Sequence, residues 1–187
     1  TSGDYNTSIG YNSLSSNTTG SYNTANGNLA LHSNTEGDFN TATGVRALYS
    51  NTTGINNTAN GYNALALNTS GGYNTANGMY ASAYNTTGVY NTANGYYALL
   101  SNTTGSYNTA NGMYALISNT TGSENSALGY GANVSAGDLT NATAIGCGAT
   151  VNASNTIQLG NASVTSVVTS GTITGGGFKV NALQAAP

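Results

Sequence analysis

The chain has 187 residues but only two Lys/Arg and five Asp/Glu, a net charge of −3 and 4% charged residues, where globular domains average about 25%. So thin a charge excludes electrostatic capture of nucleic acid or of an anionic membrane, because both require clustered Lys/Arg. One Pro and fourteen Tyr argue for order, since disordered segments favour Pro, Glu and Lys and contain few aromatics. No apolar run approaches the roughly 18–20 residues of a membrane span, and no signal-peptide pattern opens the chain. The chain starts within a repeat, so any targeting or anchoring segment lies outside it. The single Cys147 excludes an intrachain disulfide framework.

Written in rows of seventeen, residues 1–136 align as eight gapless repeats. The first position is Thr in every row, from Thr1 and Thr18 to Thr120. The third is a turn glycine (Gly3, Gly20, Gly37, Gly54, Gly71, Gly88, Gly105, Gly122), the sixth is Asn, and the tenth is again Gly. The thirteenth is Ala in all but the first row, and the fourteenth is usually Leu. Helix is disfavoured by two Gly and several Asn or Thr per row. Each row instead reads as two short extended runs, around Tyr22–Asn26 and Asn28–His32 in the second row, separated by turn residues. That is one coil of an all-β, parallel β-solenoid.

Stacked coils set identical residues about 4.8 Å apart. Asn and Thr side chains can then hydrogen-bond along the stack, which explains the monotony of the sixth and seventeenth positions: a ladder works only if every rung matches. Ten coils would make a rod roughly 45–50 Å long. The expected core is thin, with Ala25, Ala30 and Leu31 per coil, so lateral association into a fibre is expected as well. Residues 137–163 read as variant coils in which Gly146 and Ala149 keep register while Gly160 follows after fourteen residues. Residues 164–187 leave the repeat, pass a triple Gly (Gly175–Gly177) and read as a strand or linker leading toward a further C-terminal domain.

Catalytic chemistry has little to work with, and no catalytic, cofactor-binding or metal-binding residue is expected. His32 is the only His, which leaves no second-shell His for a Ser–His–Asp constellation and no multi-His metal site within one chain. It reads as a surface residue near a turn. Cys147 reads as a small packing residue, and Glu36, Asp38 and Arg46 as a solvated charge group. The NTT and NTS tripeptides (Asn17–Thr19, Asn51–Thr53, Asn85–Thr87) match glycosylation sequons, but turn chemistry already requires them. A regular Thr-x-Thr face, as for ice binding, is not evident. The strongest recognition feature is aromatic. Tyr22, Phe39, Tyr73, Tyr90 and Tyr107 form one column; Tyr80, Tyr97 and Tyr114 form a second, with Tyr62 and Tyr96 beside it. Exposed Tyr can contact a glycan or protein receptor through ring and hydroxyl; the alternative is that the rings supply packing between chains.

The segments NTSIG (Asn6–Gly10), NSALGYGA (Asn125–Ala132), NATAIGCGA (Asn141–Ala149) and NTIQLGNASVTSV (Asn155–Val167) resemble the head repeats of trimeric autotransporter adhesins. Coils of the form ALxSNTTGxYNTAxG resemble the β-roll regions of phage tail fibres that precede an endosialidase-type intramolecular chaperone. The resemblance covers about residues 1–167. It implies left-handed coils, three chains around one axis, an extracellular location on a virion tail fibre or a bacterial surface, and an adhesive or host-binding role. In such relatives the chaperone is cut off just before a Ser, so Pro187 matches either a processed end or an arbitrary boundary. Neither a heptad stalk nor an apolar β-barrel anchor of the autotransporter kind is visible, which favours the tail-fibre branch. The chain departs from these relatives at the ninth position. They commonly carry Ile, Leu or Val there, as at Ile9, Leu128 and Ile145, whereas the middle rows have Asn26, Thr43, Asn60, Asn77, Asn94 and Asn111. By strand alternation this Asn shares a face with Thr24 and Tyr22, opposite Ala25. The column therefore faces either a trimer axis, as a laddered polar seam, or solvent.

Overall fold

The computed structural model describes residues 2–168, so most of the C-terminal segment read as a linker lies outside the described residues. Twelve short strands follow in chain order. They are β1 (Thr7–Ile9), β2 (Thr24–Asn26), β3 (Thr41–Thr43), β4 (Thr58–Asn60), β5 (Thr75–Asn77) and β6 (Thr92–Asn94). Then come β7 (Thr109–Asn111), β8 (Ser126–Leu128), β9 (Asn133–Val134), β10 (Ala142–Ile145), β11 (Thr150–Val151) and β12 (Thr156–Leu159). β1 to β8, β10 and β12 form one ten-stranded sheet in sequence order, and β9 pairs with β11. Every pairing is parallel, and no helix occurs among the described residues. Thr24 pairs with Thr41 and Ala25 with Ala42, one coil of seventeen residues apart. The last coil is shorter: Ala142 pairs with Thr156, an offset of fourteen that the early Gly160 had indicated. The chain is a parallel β-solenoid.

Only one of the two expected strands per coil forms in most of the rod. The second run, Asn28–His32 and its equivalents, is a chain of turns in which alternate residues take left-handed backbone angles: Leu29 (φ 59°) and Leu31 (φ 49°), Arg46 and Leu48, Tyr97 and Leu99. A left-handed residue with a side chain costs about 1–2 kcal/mol. Stacking nevertheless holds it, because the backbone groups it turns are used by neighbouring coils. Leu31 N–H donates to the Ala47 carbonyl in the next coil (3.0 Å), while Leu29 N–H donates to the Tyr11 carbonyl in the preceding one (2.9 Å). A second sheet, β9 with β11, appears where the sequence changes from ALxS to ANVS and ATVN. Gly131 and Gly148 there occupy the left-handed site that Tyr, Leu or Arg fills elsewhere. Tyr22 (φ 59°) likewise lies outside its strand, so period-two alternation does not place it with Thr24 and Asn26.

The interior matches the expected composition. Ala25, Ala30 and Leu31 are buried, as are their equivalents along the rod. Two Asn columns share that interior. In the sixth-position column, Asn40 Nδ2 donates to the Gly54 carbonyl (2.8 Å) and its Oδ1 accepts from Asn57 N–H (3.0 Å). In the seventeenth-position column, amide donates to amide: Asn51 to Asn34, Asn68 to Asn51 and Asn85 to Asn68, at 2.8, 2.8 and 2.9 Å. Asn51 Nδ2 also reaches the Gly54 carbonyl (3.0 Å), so one turn carbonyl ties the two columns together. Each amide is thereby satisfied without water, the condition for burying it. The sequon asparagines Asn51 and Asn85 are fully buried ladder rungs, so the fold leaves their amide nitrogens no room for a glycan.

The invariant first-position Thr and third-position Gly belong to one device. Thr52, Thr53 and Gly54 donate three backbone N–H groups to the Thr69 carbonyl of the next coil (2.9, 3.2 and 3.3 Å), and the Thr52 hydroxyl adds a fourth bond (3.0 Å). Gly54 is Gly because a Cβ there would strike the Asn51 side-chain oxygen and the Gly71 carbonyl.

One coil breaks the Leu column. Ser82 takes the place of Leu, is 1% exposed, and its hydroxyl has no hydrogen-bond partner. Ser82→Leu should therefore raise the unfolding free energy by about 1–3 kcal/mol, through added apolar burial and removal of an unpaired polar group. Chemical denaturation checks this, and a destabilised variant would show that the site cannot accept Leu.

Candidate functional site

Two outer faces carry the residues singled out by sequence. The first is the strand face. Alternation turns Ala25 inward and Thr24 and Asn26 outward, a pattern repeated from β2 to β7. Asn26, Asn60, Asn77, Asn94 and Asn111 thus lie on the outside of the chain's own coil. Asn60 donates to Asn77, Asn77 to Asn94 and Asn94 to Asn111, each at 2.8 Å, so the expected ladder forms on this outer surface. Beside it runs an outward column of Thr, from Thr7 to Thr109. Outward pairs are Thr-x-Asn in most coils, and Thr-x-Thr only at Thr41 and Thr43. At both ends the Asn column gives way to exposed apolar side chains, with Ile9 on one side and Leu128, Ile145 and Leu159 on the other, and Ile157 ends the Thr column. Leu128 and Ile145 border a groove of about 150 Å³ with Asn111 and Thr143.

The second face is the left-handed run. Tyr80, Tyr97 and Tyr114 stack with near-parallel rings, centroids 5.1 and 5.8 Å apart. Tyr62 meets Tyr80 edge-on, and Tyr96 meets both Tyr97 and Tyr114 edge-on. All five candidate aromatics are therefore brought together. The Tyr96 phenol is held above its ordinary pKa, first by hydrogen bonding with the Tyr97 side chain and then by lost solvation. Sequence reasoning missed Met79, Met113 and Tyr130. They share Tyr62's and Tyr96's column, which alternates Tyr, Met, Tyr, Met, Tyr from Tyr62 to Tyr130. A two-coil period in the sequence would have revealed it. Because stacked rings consume one another's faces, the column offers chiefly edges and hydroxyls to a ligand.

The other aromatic column is interrupted. Tyr5, Tyr22 and Phe39 form one stack (4.9 Å steps), and Tyr73, Tyr90 and Tyr107 another (4.8 and 5.1 Å), with Asn56 between. All but the more exposed Tyr5 remain about half exposed.

Two smaller expectations, on Cys147 and Arg46, are corrected, whereas His32 lies in a turn with part of its surface exposed. Cys147 is exposed and does not pack in the interior, since it sits on the outward position where other coils carry Tyr or Met. His32 is half-buried. It stacks on Tyr49 at 5.3 Å and hydrogen-bonds the Ser15 hydroxyl (2.8 Å). Arg46 joins no charge group with Glu36 and Asp38; its guanidinium lies 4.5 Å from the Tyr49 ring centre, and Asp38 accepts the Ser21 N–H (2.7 Å). Among the described residues no group of three or more His, Cys, Asp or Glu is placed to hold a metal ion.

Fold and faces together define a β-solenoid repeat protein with one polar strand face and one aromatic face. Compared with protein-family models, curated proteins and solved structures, the chain matches none.

Proposed function

We propose that the chain is a non-enzymatic, homotrimeric, extracellular fibre segment that spaces or presents a receptor-binding tip, most simply in a phage tail fibre. A bacterial trimeric surface adhesin or extracellular filament is the nearest alternative. The observation that carries this reading is the strand face. An apolar residue at the ninth position occurs at both ends of the rod, at Ile9 and at Leu128, Ile145 and Leu159, and stands in water in a single chain. Exposed apolar side chains clustered on one face mark an interaction surface. Facing copies around an axis would cover them and enclose the Asn ladder, whose amides already satisfy one another along the rod. The aromatic face would then point outward, available to a cell-surface glycan or protein receptor.

Sedimentation equilibrium tests this directly, with an expected mass three times the 18.6 kDa of one chain. A single-chain mass at micromolar concentration would overturn the assembly. Leu128→Glu with Ile145→Glu should weaken it about a hundredfold or more, because unpaired charges would be buried between chains.

The Thr column supports one reading from another class. An outward rank of Thr and Asn on a parallel sheet, repeated at about 4.8 Å, is also what an ice-binding surface would present. Thermal hysteresis of the purified chain separates the two.

A further inference from the structure

The fifteenth position of the repeat has a gap two coils long. His32 and Tyr49 stack there, Leu100 and Ile117 follow higher up, but coils four and five carry only Ala66 and Ala83. Two missing side chains leave roughly 10 Å of the column open at the coil spacing. His32 covers one face of Tyr49, so the Arg46 guanidinium, 4.5 Å from the Tyr49 centre, caps the other and faces the gap. The result is a groove of about 120 Å³ lined by Arg46, Asn63, Ala66, Tyr80, Ala83 and Tyr84.

Its polar groups are uncommitted. Asn63 is 8% exposed, and its backbone N–H donates to the Val45 carbonyl (3.0 Å). Its side-chain amide lines the groove and makes no side-chain hydrogen bond within the described residues. An amide so placed offers a donor and an acceptor to a ligand in the groove. Arg46 forms neither a salt bridge nor a side-chain hydrogen bond among the described residues. A guanidinium stacked on an aromatic ring keeps its N–H edge free for two parallel bonds to a carboxylate. Ala66 and Ala83 give an apolar floor of methyl size, and Tyr80 and Tyr84 supply aromatic walls with hydroxyls.

We propose that this groove binds a carboxylate-bearing sugar residue of a glycan. Arg46 takes the carboxylate, Asn63 hydrogen-bonds ring hydroxyls, and the C–H face of the sugar rests on Ala66 and Ala83 against Tyr80 and Tyr84. The adhesive reading supplies only the source of such a glycan; the groove lies within one chain and does not require the trimer.

Titration calorimetry tests it on the full chain with a galacturonic-acid trisaccharide and sialyllactose, against neutral lactose and acetate. The expected result is saturable binding of at least one acidic sugar, with lactose and acetate inert. Arg46→Gln should weaken binding about tenfold or more by removing the charge-assisted pair. Ala66→Tyr should abolish it with Arg46 still present, because it refills the column as Tyr49 does one coil below. The melting curve of that variant confirms folding. Equal binding of lactose, binding of acetate alone, unchanged binding by the Ala66→Tyr variant, or no binding of either acidic sugar would each overturn the proposal. Sedimentation of the same samples reports assembly separately, so failure of the groove and failure of the trimer are distinguishable.

Discussion

Asn74→Ala should lower the unfolding free energy by about 2–4 kcal/mol, while Asn77→Ala, three residues later, should change it by no more than about 1 kcal/mol. Both residues sit in the same hexapeptide, YNTANG, and both hydrogen-bond identical neighbours. Their surroundings differ. Asn74 is 1% exposed, and its Oδ1 accepts the Asn91 N–H at 2.9 Å. Its Nδ2 donates to the Gly88 carbonyl (2.9 Å) and to Asn57 Oδ1 (3.1 Å). Removing that amide leaves the Asn91 N–H unpaired in a dry interior and opens a small cavity, although the Gly88 carbonyl keeps its bond from Asn85 (3.0 Å). Asn77 stands on the outer face, where water replaces its bonds to Asn60 and Asn94. Urea unfolding of the two variants under conditions that keep the chain monomeric decides the matter. Equal effects would mean that the inner ladder contributes no more than the outer one.

The second large effect falls on a turn glycine. Gly71→Ala should destabilise by more than about 3 kcal/mol, because the new Cβ meets two fixed acceptors, the Gly88 carbonyl oxygen and Asn68 Oδ1. Neither can retreat, since each is held by its own ladder bonds. Gly131→Ala is the control. Its backbone is left-handed (φ +61°) but nothing lies within 4 Å of a Cβ, so only the conformational cost of about 1 kcal/mol remains. Gly20, Gly37, Gly54, Gly88 and Gly105 share Gly71's crowding and should behave like it. Thermal melts of both variants would refute this account if the two losses were the same. The contrast also explains the sequence: the third position has no tolerated alternative in eight rows, whereas the left-handed twelfth position accepts Tyr, Leu, Arg, Asn and Gly.

Strict repetition made the solenoid legible. Period, coil length, the shortened last coil, the Ala and Leu core and the laddering of the sixth and seventeenth positions all follow from which letters recur and where. The same regularity hid the second side of the coil. Asn28–His32 has the apolar and polar mixture of a short strand, but it folds through left-handed residues that propensity would not assign to Leu, Arg or Tyr. Those angles are held by hydrogen bonds to the coils on either side, a source of stability outside any seventeen-residue window. The aromatic site was legible as columns, though not in its details. Asn56 visibly interrupts one column, while the edge-on packing of Tyr62 and Tyr96 depends on backbone angles. The diversion of Arg46 from Glu36 and Asp38 to Tyr49 depends on where coil three places each side chain.

By itself, then, the sequence determined the repeat unit and the identity of every rung. A stack of coils tolerates only matched hydrogen-bonding groups, and that demand is written once per row. The tertiary structure alone decided which of two chemically identical asparagines is core and which is surface, and which glycine is needed for space and which for backbone angle. It also decided that two alanines, unremarkable in their rows, open a groove beside the one cation of the described rod. These depend on inside and outside, and a repeating string has no inside until its coils close on one another.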